Sequence, residues 1–195
     1  MDGHAFGARC PICMGDTRLI LSRELIYEPK RDLTPNPSPA GTKGLAVLLD
    51  NIRSAWNVGS ILRSADGFGF THAYLCGITP TPDGPAREAV TKTSLGAEDS
   101  VTWSYHKDAV KLVKGLKKEG WKVWALEEDE RAKEIRMKDE GGIQKTVLIV
   151  GNEVTGVDPE LLDHCDEIFY IPMRGEKKSF NVGIAFGIAA YALNK

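Results

Sequence analysis

The sequence predicts an α/β fold built on a parallel sheet, and three observations carry that prediction. Short apolar runs alternate with segments of helical spacing from Gly44 onward. The first run, Leu45-Ala46-Val47-Leu48-Leu49, is continuously apolar, the pattern of a strand covered on both faces. Polar loops, two of them bearing glycine, follow the apolar runs, and open parallel sheets hold ligands beyond the carboxyl ends of their strands.

A strand over 45–49 leads to a helix over 55–68, in which Val58, Ile61, Leu62 and Ala65 recur on one face. Ala73-Tyr74-Leu75-Cys76 is the next strand, followed by a short helix over 87–93 and a strand over 100–104. A helix over 108–119 turns Ala109, Leu112, Val113 and Leu116 inward, and strands over 122–126 and 146–150 follow. Pro159 opens a short helix over 159–162, at a position where its missing N–H is not needed. A last strand over 167–171 and a last helix over 179–193 complete the pattern.

The chain divides near Thr42 into an N-terminal extension, 1–43, and a folded domain, 44–195. Pro35, Pro37 and Pro39 alternate with other residues, which reads as an extended linker because proline lacks a donor and disfavours helix before it. The segment 17–27 fits a short helix or a strand equally. A chain of 195 residues with 42% hydrophobic and 27% charged residues can bury a core without staples. Its net charge of −2 gives no global attraction for nucleic acid, so any such role falls to a local patch. The longest apolar stretch, 183–193, is too short to span a bilayer, and no secretory segment is visible near Met1, so a cytoplasmic protein without membrane contact is expected.

Cys76 and Cys165 sit in apolar contexts and read as buried thiols. Cys10 and Cys13 have the spacing of half a tetrahedral zinc site; His4 offers a third ligand, but no fourth lies nearby. An unliganded tail is favoured there over zinc or a redox pair, and no metal is expected.

Three loops carry the polar residues. Asp50 to Asn57 leads into the first helix, where Asn57 and Arg63 stand among small and apolar residues. Arg63 reads either as a half-exposed paired cation or as a guanidinium whose fork grips phosphate. Gly151-Asn152-Glu153-Val154-Thr155-Gly156 follows an apolar strand, and reads as an ordinary turn with a solvated Glu153 or as a loop whose glycines let a ligand approach the backbone. It lacks the Lys-Ser/Thr ending of a phosphate-binding loop, and no Gly-x-Gly-x-x-Gly follows a strand. Pro172 to Asn181 ends in Ser179-Phe180-Asn181, where Ser179 and Asn181 are either helix caps or hydrogen-bonding partners of a ligand.

Taken in order, these loops resemble the three motifs of the SpoU RNA methyltransferases. Asn57-Val58-Gly59-Ser60-Ile61-Leu62-Arg63-Ser64-Ala65 is similar to motif 1, Val150-Gly151-Asn152-Glu153-Val154-Thr155-Gly156 to motif 2, and Ile171-Pro172-Met173 with Ser179-Phe180-Asn181-Val182 to motif 3. Lys92-Thr93-Ser94-Leu95-Gly96-Ala97 resembles the region between motifs 1 and 2. Phe180 and Gly183 depart from the family's usual Leu and Ser, and residues 1–43 do not resemble the RNA-binding extension of larger members.

The resemblance implies a Rossmann-like fold with a C-terminal deep trefoil knot, and a homodimer with active sites near the subunit interface. It implies S-adenosylmethionine as cofactor, held around Leu126, Gly151, Gly156, Ile171, Met173 and Phe180. The reaction implied is methyl transfer to a ribose 2′-hydroxyl of tRNA or rRNA. Arg63 would orient the ribose-phosphate and favour loss of the hydroxyl proton by its charge, since a guanidinium itself stays protonated. Asn57, Glu153, Ser179 and Asn181 would position Arg63, the ribose and the loops. A base-directed RNA methyltransferase on a related knotted fold, a non-catalytic RNA-binding protein and a small-molecule transferase are the competing readings.

Overall fold

In a computed structural model of the chain, residues 44–136 and 145–193 are described. The proline linker, the 17–27 segment and the pair Cys10 and Cys13 lie outside the described residues. Seven strands, β1 (Leu45–Asp50), β2 (His72–Cys76), β3 (Thr102–His106), β4 (Lys122–Leu126), β5 (Lys133–Glu134), β6 (Thr146–Val150) and β7 (Glu167–Tyr170), form one sheet in the order β3-β2-β1-β6-β4-β7-β5. Every strand pairing in it is parallel. Every residue of β1 and of β6 is buried, as the continuous apolar runs require.

Alternate residues of β1 feed two cores. Leu45, Val47 and Leu49 face α1 (Ala55–Gly67) and α6 (Val182–Leu193), where they meet Val58, Ile61, Leu62 and Phe186. Ala46 and Leu48 face α4 (Ala109–Lys118) and α5 (Pro159–Asp163), against Val113, Leu116, Leu161 and Leu162. Phe186, fully buried, meets Phe70 edge to face with ring centroids 5.1 Å apart. Two shorter helices, α2 (Arg87–Ser94) and α3 (Ala97–Ser100), lie beside α1.

Helix starts follow their caps. Ser54 accepts from the Asn57 N–H, Asp108 from Lys111 at 2.8 Å and Asp158 from Glu160 at 2.8 Å. The last helix begins at Val182, three residues later than the spacing predicts, because Asn181 is its cap: Oδ1 accepts from the Gly183 N–H at 2.9 Å. The third strand begins at Thr102, not Ser100, because the turn of α3 consumes Ala97–Ser100 after Leu95 and Gly96 take positive φ. The last strand stops at Tyr170, and β5, two residues long, is too short to leave a periodic signal. Cys76 is buried as expected, whereas Cys165 is only half-buried; burial pushes the Cys165 thiol up to about 12. Among the described residues no helix is long and apolar enough to cross a membrane.

Candidate active site

A cleft of about 300 Å³ opens at the carboxyl ends of β4, β6 and β7. Leu126, Gly151, Gly156, Ile171, Met173 and Phe180, all six positions expected to hold a cofactor, line it, together with Glu153, Ser179 and Asn181. Three segments far apart in sequence converge there because β4 lies between β6 and β7 in the sheet. The lining mixes aliphatic side chains such as Leu126, Val150 and Val182 with strand-end backbone and the carboxylates Glu127, Glu128 and Glu153.

Glu153 is the hub of the polar groups. One carboxylate oxygen accepts from the backbone N–H of Arg53 at 2.9 Å; the other accepts from the Ser54 N–H at 3.0 Å and the Asn57 side-chain amide at 2.8 Å. The Asn57 carbonyl in turn accepts from the Asn181 amide at 3.0 Å. The three motif loops are thus joined in one chain, from Glu153 through Asn57 to Asn181 and on to the first turn of α6. Desolvation would raise the Glu153 carboxyl, but the hydrogen bonds from backbone N–H groups and from Asn57 outweigh it and hold it below the ordinary carboxylate range. An ionised group so occupied is a clamp on the α1 entrance rather than a proton acceptor.

The motif 2 loop is closed on itself. Asn152 and Gly156 exchange backbone hydrogen bonds of 3.1 and 2.9 Å, and Asn152 Oδ1 accepts from Val154 at 2.8 Å and Thr155 at 3.2 Å. A Cβ on Gly151 would stand 2.2 Å from the Val157 nitrogen and 2.3 Å from the Gly156 carbonyl carbon. Glycine is therefore required by the return of the loop's own backbone.

Four residues that spacing did not single out hold this loop. Asn152 donates to the Asn51 carbonyl at 2.7 Å, and Asn51, with φ of 54°, accepts from the Ile78 N–H at 3.2 Å. The buried carboxylate of Asp50 accepts from Asp158 at 2.9 Å and from the Asn51 amide at 2.8 Å. Glu127 accepts from Val157 at 2.8 Å and Glu128 at 2.9 Å; its burial raises its carboxyl against those two bonds. The signal available for Glu127 was its place just beyond a strand end, hidden in an acidic run that reads as solvated surface.

Arg63 stands apart. It is exposed on α1, does not line the cleft, and makes no hydrogen bond or ion pair among the described residues. Ser179 and Phe180 lie at the cleft ahead of α6 and outside any helix, so Ser179 is not a cap, whereas Asn181 both caps the helix and reaches Asn57.

The profile of the SpoU rRNA Methylase family matches residues 44–191. A 23S rRNA (guanosine-2'-O-)-methyltransferase RlmB of Xanthomonas axonopodis is 28% identical over 152 residues, 78% of this chain and 59% of that protein. A 23S rRNA (guanosine(2553)-2'-O)-methyltransferase RlmP of Bacillus subtilis is 33% identical over 154 residues, 75% of this chain and 56% of that protein. The solved AdoMet-bound rRNA methyltransferase from Sinorhizobium meliloti superposes with a TM-score of 0.70 at 26% identity, covering 78% of this chain and 56% of that one. The chain spans less than two thirds of the length of each of these relatives. With the profile match running from β1 into α6 and taking in all three motif loops, the chain belongs to the SpoU rRNA Methylase family.

Proposed function

We propose that this chain transfers a methyl group from S-adenosylmethionine to a ribose 2′-hydroxyl of tRNA or rRNA. The observation that carries the reading is the cleft in which all six expected cofactor positions meet, bolted to motif 1 by the Glu153–Asn57–Asn181 hydrogen bonds. The names of the relatives, ribose methyltransferases of rRNA, support it, as does the bound AdoMet in the Sinorhizobium meliloti protein.

The donor set fits the cofactor. Leu126, Val150 and Ile171 suit a flat adenine, the strand-end backbone suits its polar edge, and Glu127 and Glu128 suit a molecule bearing cationic groups. When bound, S-adenosylmethionine supplies an electrophilic methyl group. The chain's own part is alignment and charge. Glu153 and Asn57 fix the entrance of α1 and hence the direction from which Arg63 is presented. Arg63, free of competing anions among the described residues, orients the ribose-phosphate and favours ionisation of the hydroxyl. Ser179 meets the ribose from the cleft rim, and Asn181 locks the third loop.

The finer architecture belongs to the same proposal. Residues 44–195 are the catalytic domain and 1–43 an extension. The segment from β7 to α6 threads the motif 2 loop in a deep trefoil knot, supported by the shared lining of the 151–156 and 171–182 segments. The chain works as a homodimer in the cytoplasm, where tRNA and rRNA are found. The exposed stripe Ile184, Ile188 and Tyr191 along α6 supports the dimer.

Incubating the protein with total RNA and methyl-labelled S-adenosylmethionine tests the reading. Alkaline hydrolysis should leave label in resistant dinucleotides, because a 2′-O-methyl group blocks cleavage of the adjoining linkage. Label confined to mononucleotides would transfer the activity to a base, and no label in RNA would remove it.

A further inference from the structure

The segment Lys92-Thr93-Ser94-Leu95-Gly96-Ala97 has no part in the cleft, yet it is built tightly onto motif 1. A Cβ on Gly59 would lie 2.1 Å from Thr93 Oγ1 and 2.2 Å from the Val90 carbonyl oxygen, so α2 meets α1 as closely as backbone permits. The Thr93 hydroxyl donates to the Trp56 carbonyl at 3.0 Å. The Lys92 ammonium stands 5.5 Å from the centre of the Trp56 ring, within cation–π range. Trp56 is nevertheless 50% exposed, whereas Trp103, Trp121 and Trp124 are 6%, 3% and 7% exposed. Leu95, in the left-handed conformation at the end of α2, is 65% exposed.

A large aromatic ring kept at the surface gains nothing for the core, and here a cation is kept beside it. Trp56 immediately precedes Asn57, so its backbone is fixed by the same Glu153 clamp that organises the cleft. Arg53, exposed three residues earlier and anchored through its N–H to Glu153, adds a second positive charge to this corner. An indole with a lysine beside its ring and an arginine three residues earlier in the chain matches an unpaired nucleobase and its phosphates: the ring stacks on any base, and the cations meet the backbone. The placement also answers the chain's net charge of −2, since an RNA binder of that charge needs a local cationic patch. Trp56 leans towards α2, with its carbonyl held by Thr93 and its ring beside Lys92.

We propose that Trp56, with Lys92 beside its ring and Arg53 three residues earlier in the chain, is a stacking platform for an unpaired RNA base close to the ribose being methylated. The proposal rests on the ribose methyltransferase reading above.

Trp56 is the one exposed tryptophan of the four in the sequence, so the difference in quenching between the unaltered protein and Trp56→Phe reports on it. The full chain is titrated with an unstructured oligoribonucleotide pool and, in parallel, with heparin, a polyanion without bases. Quenching by RNA but not by heparin, lost in Trp56→Phe, is expected. Trp56→Ala should weaken RNA binding about tenfold or more, with part of the loss recovered by Trp56→Phe and S-adenosylmethionine affinity unchanged. Equal quenching by heparin, or normal RNA binding by Trp56→Ala, overturns the platform. A changed association state in Trp56→Ala with RNA affinity intact also overturns it, giving Trp56 to a subunit contact. Methylation of total RNA by the unaltered protein is measured alongside. Its absence sinks the functional reading, whereas its presence without quenching sinks the platform alone.

Discussion

Arg63 is where the proposed chemistry is most exposed to test. It is carried by α1, away from the cleft lining and without a hydrogen-bond or ion-pair partner among the described residues, so removing it disturbs neither packing nor the loops. Arg63→Ala should leave S-adenosylmethionine affinity within a few-fold while single-turnover methylation falls by more than about a hundredfold, the size of an ordinary positioning contact. Arg63→Lys should be badly impaired too, since it keeps charge but loses the fork. A near-normal single-turnover rate in Arg63→Ala would leave Arg63 a docking residue at most. Asp50 makes a different prediction. Burial pushes its carboxyl up to about 6 from the ordinary 3.8; the Asp158 N–H opposes this, the Asp158 charge adds to it, and the Asn51 amide opposes it. The folded state therefore holds this proton more tightly than the unfolded chain does, and stability contributed by protonated Asp50 is lost as pH rises from about 4 to about 6. Denaturant unfolding across that window should show the native protein losing about 2–3 kcal/mol relative to Asp50→Asn. A constant difference between the two proteins would mean that Asp50 titrates normally.

The motif 2 loop behaves as an element in its own right, and Gly151 is its weak point. Backbone atoms of Gly156 and Val157 stand where a Cβ would go, and backbone cannot swing aside as a side chain can. Gly151→Ala should therefore open the loop, release Val157 from Glu127, lower the melting temperature and abolish cofactor binding by calorimetry. Gly175→Ala, with no heavy atom within 4 Å of the new Cβ, is the matched control and should be neutral. Unchanged affinity in Gly151→Ala would mean that the loop's geometry does not matter to the site. This is also the scale at which sequence reading succeeds and fails. Strands β4 and β6 were legible to the residue, because apolar runs bounded by charge or glycine leave one choice of limits. The start of α6 was not, because Ser179 and Asn181 are both good caps and only the contact of Asn181 with Asn57 decides between them. Five of the six cleft positions lie in the family motifs; Leu126 lies outside them, at the end of β4. Asp50, Asn51 and Glu127 were not legible, because their side chains accept from backbone N–H groups 27 to 108 residues away, which no local pattern encodes.

At the scale of the whole molecule, α6 poses the open question. It is strongly apolar all round: Phe186, Ala189, Ala190 and Leu193 are buried, yet Ile184, Ile188 and Tyr191 are 56%, 36% and 48% exposed. Those three fall at i, i+4 and i+7, one stripe of the helix, and Tyr191 packs edge to face against Phe68 beyond the end of α1 with centroids 6.3 Å apart. A lone surface helix would carry polar residues there. In the proposed homodimer a second copy of the same stripe, related by a two-fold axis, would bury it without any other partner. The stripe begins at the same end of α6 as Asn181, so such a contact lies beside the cleft and next to the helix that bears Arg63. Replacing Ile184 and Ile188 together by Glu should convert a dimer to a monomer in sedimentation equilibrium, because paired carboxylates would face their own copies across the axis. Far-ultraviolet circular dichroism should be unchanged, since both positions are solvent-facing within one chain. Methyl transfer should fall with dimer content, and raising the protein concentration should restore it only as far as it restores the dimer. A native protein that sediments as a monomer, or a variant that stays dimeric, would assign the stripe to another partner and move the subunit contact elsewhere.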